Sequence, residues 1–229
     1  MKKTSVQVVI LILIAVLVVC SLWLYDQNKP TPVQQMTVVE KKARFTELLV
    51  PAVDKVYTQL MSEYERIDVL VKNSTGDRVQ VELADLKQKY RATTDDQLLR
   101  ALKPHPKSIA LAQAAMESNW ATSRFFLAAK NVFGVWSFNE HEERIKALKK
   151  RGDKTIWVKK YPTVEASIRD YYLTVARGVA FSEFRKLKME TDDPFKLVEK
   201  LDRYSEKGAV YGRELAAIIR YNNFTDYDN

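Results

Sequence analysis

A single cysteine, Cys20, occurs among 229 residues, and it sits inside an apolar run near the N-terminus. The rest of the chain therefore has no intramolecular disulfide, no Cys-based zinc site and no catalytic thiol, so its core alone must hold it together. His105 and His141 are the only histidines and lie far apart in sequence, so neither a metal site nor a cofactor is expected. Six glycines and seven prolines are too few for a disordered or fibrous chain. With 46% hydrophobic and 29% charged residues, a mainly α-helical globular chain is expected. The formal net charge of +8 suits an anionic partner. Nucleic acid, an acidic membrane face and an anionic wall polymer all fit that charge, which does not choose among them.

The N-terminus is more selective. Lys2 and Lys3 precede an uncharged stretch from Val6 to Tyr25. At about 1.5 Å per residue, such a stretch crosses a hydrocarbon core of about 30 Å. Trp23 and Tyr25 close it with rings suited to the membrane interface, and the two lysines favour a cytoplasmic N-terminus. A cleaved signal peptide would need a small-x-small site, where Leu22, Trp23 and Leu24 stand instead. Lipoprotein processing at Cys20 would meet bulky Val18 and Val19. Residues 1–25 are therefore read as an uncleaved single-pass anchor, with the remaining chain on the outer side.

Residues 26–37, with Pro30 and Pro32, read as a linker. Residues 38–92 are read as a juxtamembrane helical segment serving as a stalk, a cleft-covering element or a partner-binding surface, and residues 93–229 as the main domain. In the juxtamembrane segment, Phe45, Leu49, Ala52, Val53, Val56, Leu60 and Ile67 recur at helical spacing, with a kink or break expected at Pro51. Further helices are predicted near Val79–Arg91, after the cap-forming Thr-Thr-Asp-Asp to Leu102, and from about Ser108 along an Ile109/Ala112/Met116/Trp120 stripe. A short helix from Thr122 to Lys130 should stop at a left-handed Asn131. Residues 154–161 read as a strand of a small β-hairpin lobe. Asp192 or Asp193 should cap a helix starting at Pro194, and Tyr211, Leu215, Ile218 and Asn222 share a face of the last helix.

From Ala112 to Trp136 the only acid is Glu117, which borders the buried stripe. A carboxyl there is either a helix-end glutamate facing water or one whose pKa is raised by desolvation, as suits a general acid. The segment "AAMESNWATSRFFLAAKNVFGVW" joins a Glu-Ser-x-Trp turn, Ser-Arg-Phe and Asn-x-Phe-Gly-x-Trp in one run. "YPTVEASIRDYY" and "RYSEKGAVYGRELAAIIRYNN" follow in order. Together these blocks resemble the bacterial Bax-type glucosaminidase-like proteins, relatives of glycoside hydrolase family 73, over about Lys107–Asn223.

The resemblance implies a lysozyme-like fold, and Glu117 as general acid in hydrolysis of a β-1,4 bond next to N-acetylglucosamine. Peptidoglycan is the expected polymer, with no nucleic-acid partner. The expected location is the inner membrane of a Gram-negative bacterium, with the domain in the periplasm. A loss of hydrolysis, leaving a murein-binding scaffold, is the alternative. Relatives often place a second acid in the β-lobe, where Glu140, Glu142, Glu143 and Asp153 are the candidates and none aligns uniquely. The substrate's N-acetyl group is the other solution. Tyr204, Trp136, Tyr211 and Asn131 are the expected substrate-binding residues. Trp120 and Phe133 are read as core.

Overall fold

The computed structural model describes residues 33–73, 76–148, 152 and 154–229. The chain divides into two units, Met1–Thr37 and Val38–Asn229. In the first, the described residues form a short 3-10 turn at Val33–Gln35. The anchor expected at 1–25 lies outside the described residues, among which no helix is long and apolar enough to cross a membrane.

The second unit is built from α1 (Val38–Asn73), α2 (Asp77–Tyr90), α3 (Asp95–Leu102), α4 (Lys107–Glu117) and α5 (Arg124–Ala129). There follow β1 (Arg144–Lys146), β2 (Trp157–Lys159), α6 (Val164–Arg177), α7 (Ser182–Leu187), α8 (Pro194–Val198) and α9 (Ala209–Tyr221). The two strands pair antiparallel, with Ile145 opposite Val158, and Trp136 extends the lobe through a bridge to Val158. A helical body with one two-stranded sheet fits a lysozyme-like fold.

At the centre is α4. From Lys107 to Ala115 every residue is buried, so the helix presents no stripe: it is surrounded by α1, α9 and the closing 3-10 turn at Phe224–Tyr227. Alanine at 110, 112, 114 and 115 makes this geometry affordable, because small side chains let three neighbours approach one helix. The expected stripe is thus wrong in two respects. The helix is buried on every side from Lys107 to Ala115, and Trp120 lies beyond its end at Glu117.

The segment 38–92 does not stand apart as a stalk. Phe45, Leu49, Val53 and Val56 of α1 share one buried cluster with α4, α6 and α9. Ile67 joins Leu83, Tyr90, Leu98 and Leu102 in a second. Nor does Pro51 break the helix. It is exposed, so water can satisfy the carbonyl it leaves without a donor, while buried Leu49, Ala52 and Val53 clamp the turn on both sides.

Capping follows the sequence closely. Thr94, Ser123, Thr163 and Asp193 each accept a backbone N–H at the start of a helix. One expectation shifts by a residue: the left-handed position ending α5 is Lys130, with φ 50°, and not Asn131.

Candidate functional site

Glu117 is the last residue of α4, one helical turn beyond Gln113, so the two side chains leave the same face. Tyr211, at the start of α9, meets both. Its hydroxyl accepts from Gln113 Nε2 at 3.0 Å and donates to Glu117 Oε1 at 2.9 Å. Gly212 fixes this approach. A Cβ there would lie 2.6 Å from the Val198 carbonyl oxygen, so only glycine lets α9 sit this close to α8. Tyr204 stacks on Tyr211 with ring centroids 5.5 Å apart and planes within 11°.

Beyond Glu117 the backbone is unusual. Asn119, Trp120 and Ala121 are consecutive left-handed residues, with φ of 51°, 59° and 58°. Ser118 organises the turn: its Oγ donates to the Ala114 carbonyl at 2.5 Å and accepts from Ala121 N at 2.8 Å. Trp120 N returns to the Ala115 carbonyl at 2.8 Å. From α1, Arg44 Nη1 donates to the Ala121 carbonyl at 3.0 Å, and the Phe45 ring meets the Trp120 ring edge-on at 5.2 Å. Ser118 and Asn119 therefore shape the turn and do not hydrogen-bond Glu117. Trp120 and Phe133 are packing residues, the latter stacked on Tyr171 at 3.9 Å.

The electrostatics of Glu117 are set mainly by burial, which pushes its pKa above the usual carboxylate range. The Tyr211 hydrogen bond and the Lys207 charge pull it partly back. Burial, and then the Glu117 charge, hold both Tyr204 and Tyr211 in the neutral phenol form. The site therefore sets a carboxyl of raised pKa beside phenols that can only donate or accept hydrogen bonds.

The three described β-lobe candidates pair with lobe cations or face solvent. Glu140 is exposed, Glu142 lies 3.8 Å from Lys159, and Glu143 pairs with Lys160 at 3.0 Å. Asp153 lies outside the described residues. Among the described residues, the charge that acts on Glu117 is the cation Lys207, and no carboxylate does. Lys159 also holds Asp170 at 3.0 Å, and Asp170 accepts from the Tyr161 hydroxyl at 2.6 Å, which ties the lobe to α6.

Two of the expected substrate-binding residues are engaged within the fold. Asn131 is buried and committed to the fold: Nδ2 donates to the carbonyls of Val135 and Lys159, and Oδ1 accepts from Val135 N. Tyr211 is 1% exposed and its hydroxyl is spent on Gln113 and Glu117, so it serves the carboxyl. Trp136 is 39% exposed and lies 6.1 Å from the Phe138 ring, itself 88% exposed, so the lobe presents an aromatic pair. Gln113, Tyr171 and Lys207 escaped the sequence reading. Gln113 alone had a signal there, as a polar residue one turn before the acid in an alanine run. Among the described residues no group of three or more His, Cys, Asp or Glu is placed to hold a metal.

The chain is similar to several known proteins. The catalytic domain of the autolysin Auto from Listeria monocytogenes is similar at 23% identity, covering 72% of this chain and 97% of its own, with a TM-score of 0.47. A peptidoglycan hydrolase from Sphingomonas sp. A1 is similar at 18% identity, covering 63% and 85%, with a TM-score of 0.43. The glycoside hydrolase domain of FlgJ from Salmonella typhimurium is similar at 19% identity, covering 63% and 87%, with a TM-score of 0.42. Comparison with curated proteins returns no match. The model of the glucosaminidase family, described as mannosyl-glycoprotein endo-beta-N-acetylglucosaminidase, matches residues 96–224, more than half of the chain. The protein accordingly belongs to the glucosaminidase family and is a glycoside hydrolase.

Proposed function

We propose that the protein hydrolyses the glycan strands of peptidoglycan at a β-1,4 bond next to N-acetylglucosamine, with Glu117 as general acid. The observation that carries this reading is the half-buried Glu117 carboxyl, raised in pKa and held at one oxygen by Tyr211. Because Oε1 accepts from Tyr211, the proton resides on Oε2 and is delivered from there to the leaving-group oxygen as the oxocarbenium-like transition state forms. The carboxylate left behind meets a hydroxyl donor already in place and the nearby Lys207 cation, so little reorganisation accompanies proton loss.

The opposite face of the sugar then needs a nucleophile or base. With no described carboxylate acting on Glu117, the substrate's own N-acetyl group is the reading we favour, a recognised departure from the two-carboxylate scheme. The exposed Trp136 and Phe138 rings offer apolar faces to a sugar chain. Residues 1–25 are proposed as an inner-membrane anchor that restricts the periplasmic enzyme to wall within linker reach.

The test is zymography on murein with the wild type and Glu117→Gln, followed by mass spectrometry of the digested sacculi. Clearing by the wild type alone, with N-acetylglucosamine at the new reducing ends, is the expected result. N-acetylmuramic acid or its anhydro form at those ends would refute the bond assignment. That no described carboxylate acts on Glu117 also suits a murein-binding protein without hydrolysis. Binding by both proteins with clearing by neither would establish that second reading.

A further inference from the structure

Behind Glu117 runs a chain of polar side chains through the apolar core. His105 Nε2 lies 2.8 Å from the Tyr171 hydroxyl, which donates to Gln113 Oε1. Gln113 Nε2 donates to Tyr211, and Tyr211 donates to Glu117 Oε1. His105, Gln113, Tyr171 and Tyr211 are each at most 1% exposed. They come from the loop before α4, from α4, from α6 and from α9, so tertiary packing alone assembles them.

The direction of the chain is determined from its end. An ionised Glu117 can only accept, so Tyr211 must spend its single proton on it. The Tyr211 oxygen then accepts from the Gln113 amide nitrogen, which turns Gln113 Oε1 toward Tyr171 and claims that phenol's proton. His105 is left to donate through Nε2–H. Burial and the Lys188 charge hold His105 neutral, consistent with that tautomer. Every donor in the sequence points toward Glu117, and aligned hydrogen bonds polarise one another in a low-dielectric interior.

We propose that His105, Tyr171 and Gln113 are positioning residues that act through Tyr211 to fix the orientation and acid strength of Glu117. Burying four polar side chains where apolar ones would fit is costly unless each is satisfied, and this chain is satisfied only as a connected whole. Its ring members are also packed tightly: Phe133 stacks on Tyr171, and His105 is tilted against Tyr172 at 4.5 Å. The groups facing Glu117 are Tyr211 of α9, Lys207 and Tyr204 before α9, and Tyr171 of α6, with Gln113 on its own helix. Lys207 is the one cation among them. Breaking the chain behind Tyr211 leaves Lys207 in place and weakens the hydroxyl donor, so the carboxylate loses stabilisation and the pKa of Glu117 rises.

This inference rests on Glu117 being the acid, but its test does not need turnover. In protein labelled with 13C at glutamate carboxyls, the Glu117 resonance is assigned with Glu117→Gln and titrated in the wild type, Tyr171→Phe and Gln113→Met. Phe133→Leu serves as the packing control, since it disturbs the same ring and removes no member of the chain. The expected result is an upward shift of about 0.5 pH unit or more in both chain variants, roughly a threefold change in the dissociation constant. The control should titrate as the wild type. If Tyr171→Phe does not fold, Gln113→Met makes the same measurement one bond nearer the acid. An unmoved titration in the chain variants, or an equal shift in Phe133→Leu, overturns the proposal. A shifted titration in a protein that clears no murein keeps the relay and removes the hydrolase reading. Clearing by a protein whose titration does not move does the reverse. In an active enzyme, the high-pH limb of kcat should move with the resonance while KM stays constant.

Discussion

Arg44 lies outside the stretch that matches the glucosaminidase family, yet its loss should disable the site. Its guanidinium donates to the Ala121 carbonyl, inside the left-handed turn that follows Glu117. Three consecutive left-handed non-glycine residues carry a strain of about 3–6 kcal/mol, at roughly 1–2 kcal/mol each. Closure of that turn depends on the Ser118 hydroxyl, the Trp120 packing and the Arg44 bond. Arg44→Met keeps the aliphatic stem and removes a charge-assisted hydrogen bond worth about 1.5–3 kcal/mol. Against a domain stability of about 5–15 kcal/mol, at least about nine-tenths of the molecules stay folded. Misplacement of a reacting group by about 1 Å costs on the order of 100-fold in rate, so a partial relaxation of the turn should lower kcat by about 10- to 100-fold. The assay is murein clearing per folded molecule, with folding followed by circular dichroism. Arg44→Lys, which retains a cationic donor on a shorter stem, should recover part of the loss. The expected melting shift with full kcat in Arg44→Met would refute the buttressing role of α1, and so would full activity after deletion of residues 1–90.

Three further outcomes follow from particular side chains. Lys188 is 2% exposed, and burial, with the charges of Arg185 and Lys103, lowers its pKa to about 7. The unfolded amine keeps its proton up to about 10.5, so stability should rise as pH increases from about 7 to about 10 and be flat below 7. Lys188→Met should remove that rise, as thermal melts across the window would report. Lys130→Gly replaces an exposed residue at φ 50° and should stabilise the end of α5 by about 1 kcal/mol, or about 2–4 °C in Tm. A lower Tm would show that the Lys130 contact with the Pro162 carbonyl outweighs the strain. Trp136→Ala combined with Phe138→Ala should weaken sedimentation with sacculi about fivefold or more while the Glu117 titration stays in place. Unchanged binding would remove the aromatic pair from the substrate surface.

Much of the helical framework was legible before any coordinates, because its signals are local. Thr94 and Asp193 cap helices from positions readable in the chain, and the buried face of α1 follows its apolar spacing. What misled were places where local pattern and tertiary demand diverge. Pro51 reads as a kink or a break, and of the two the break does not occur, because its exposed position and buried flanks carry α1 through it. Asn131 reads as a turn or sugar contact, but the β-lobe claims its whole amide. The alanine run reads as an amphipathic stripe, although its small side chains admit neighbours on every side.

The sequence by itself determined a helical domain, a lone acid at the end of an alanine-rich helix, and the blocks that mark the glucosaminidase family. Helix caps and apolar periods act over a few residues, and motif blocks are contiguous. Only the tertiary structure decided that Glu117 is half-buried and bonded to Tyr211, from α9, with no described carboxylate acting on it. It alone drew α1 under the turn that follows Glu117 and threaded His105, Tyr171 and Gln113 behind that carboxyl. Burial and hydrogen-bond partnership depend on which distant segments share a volume, and no local period in the chain encodes that.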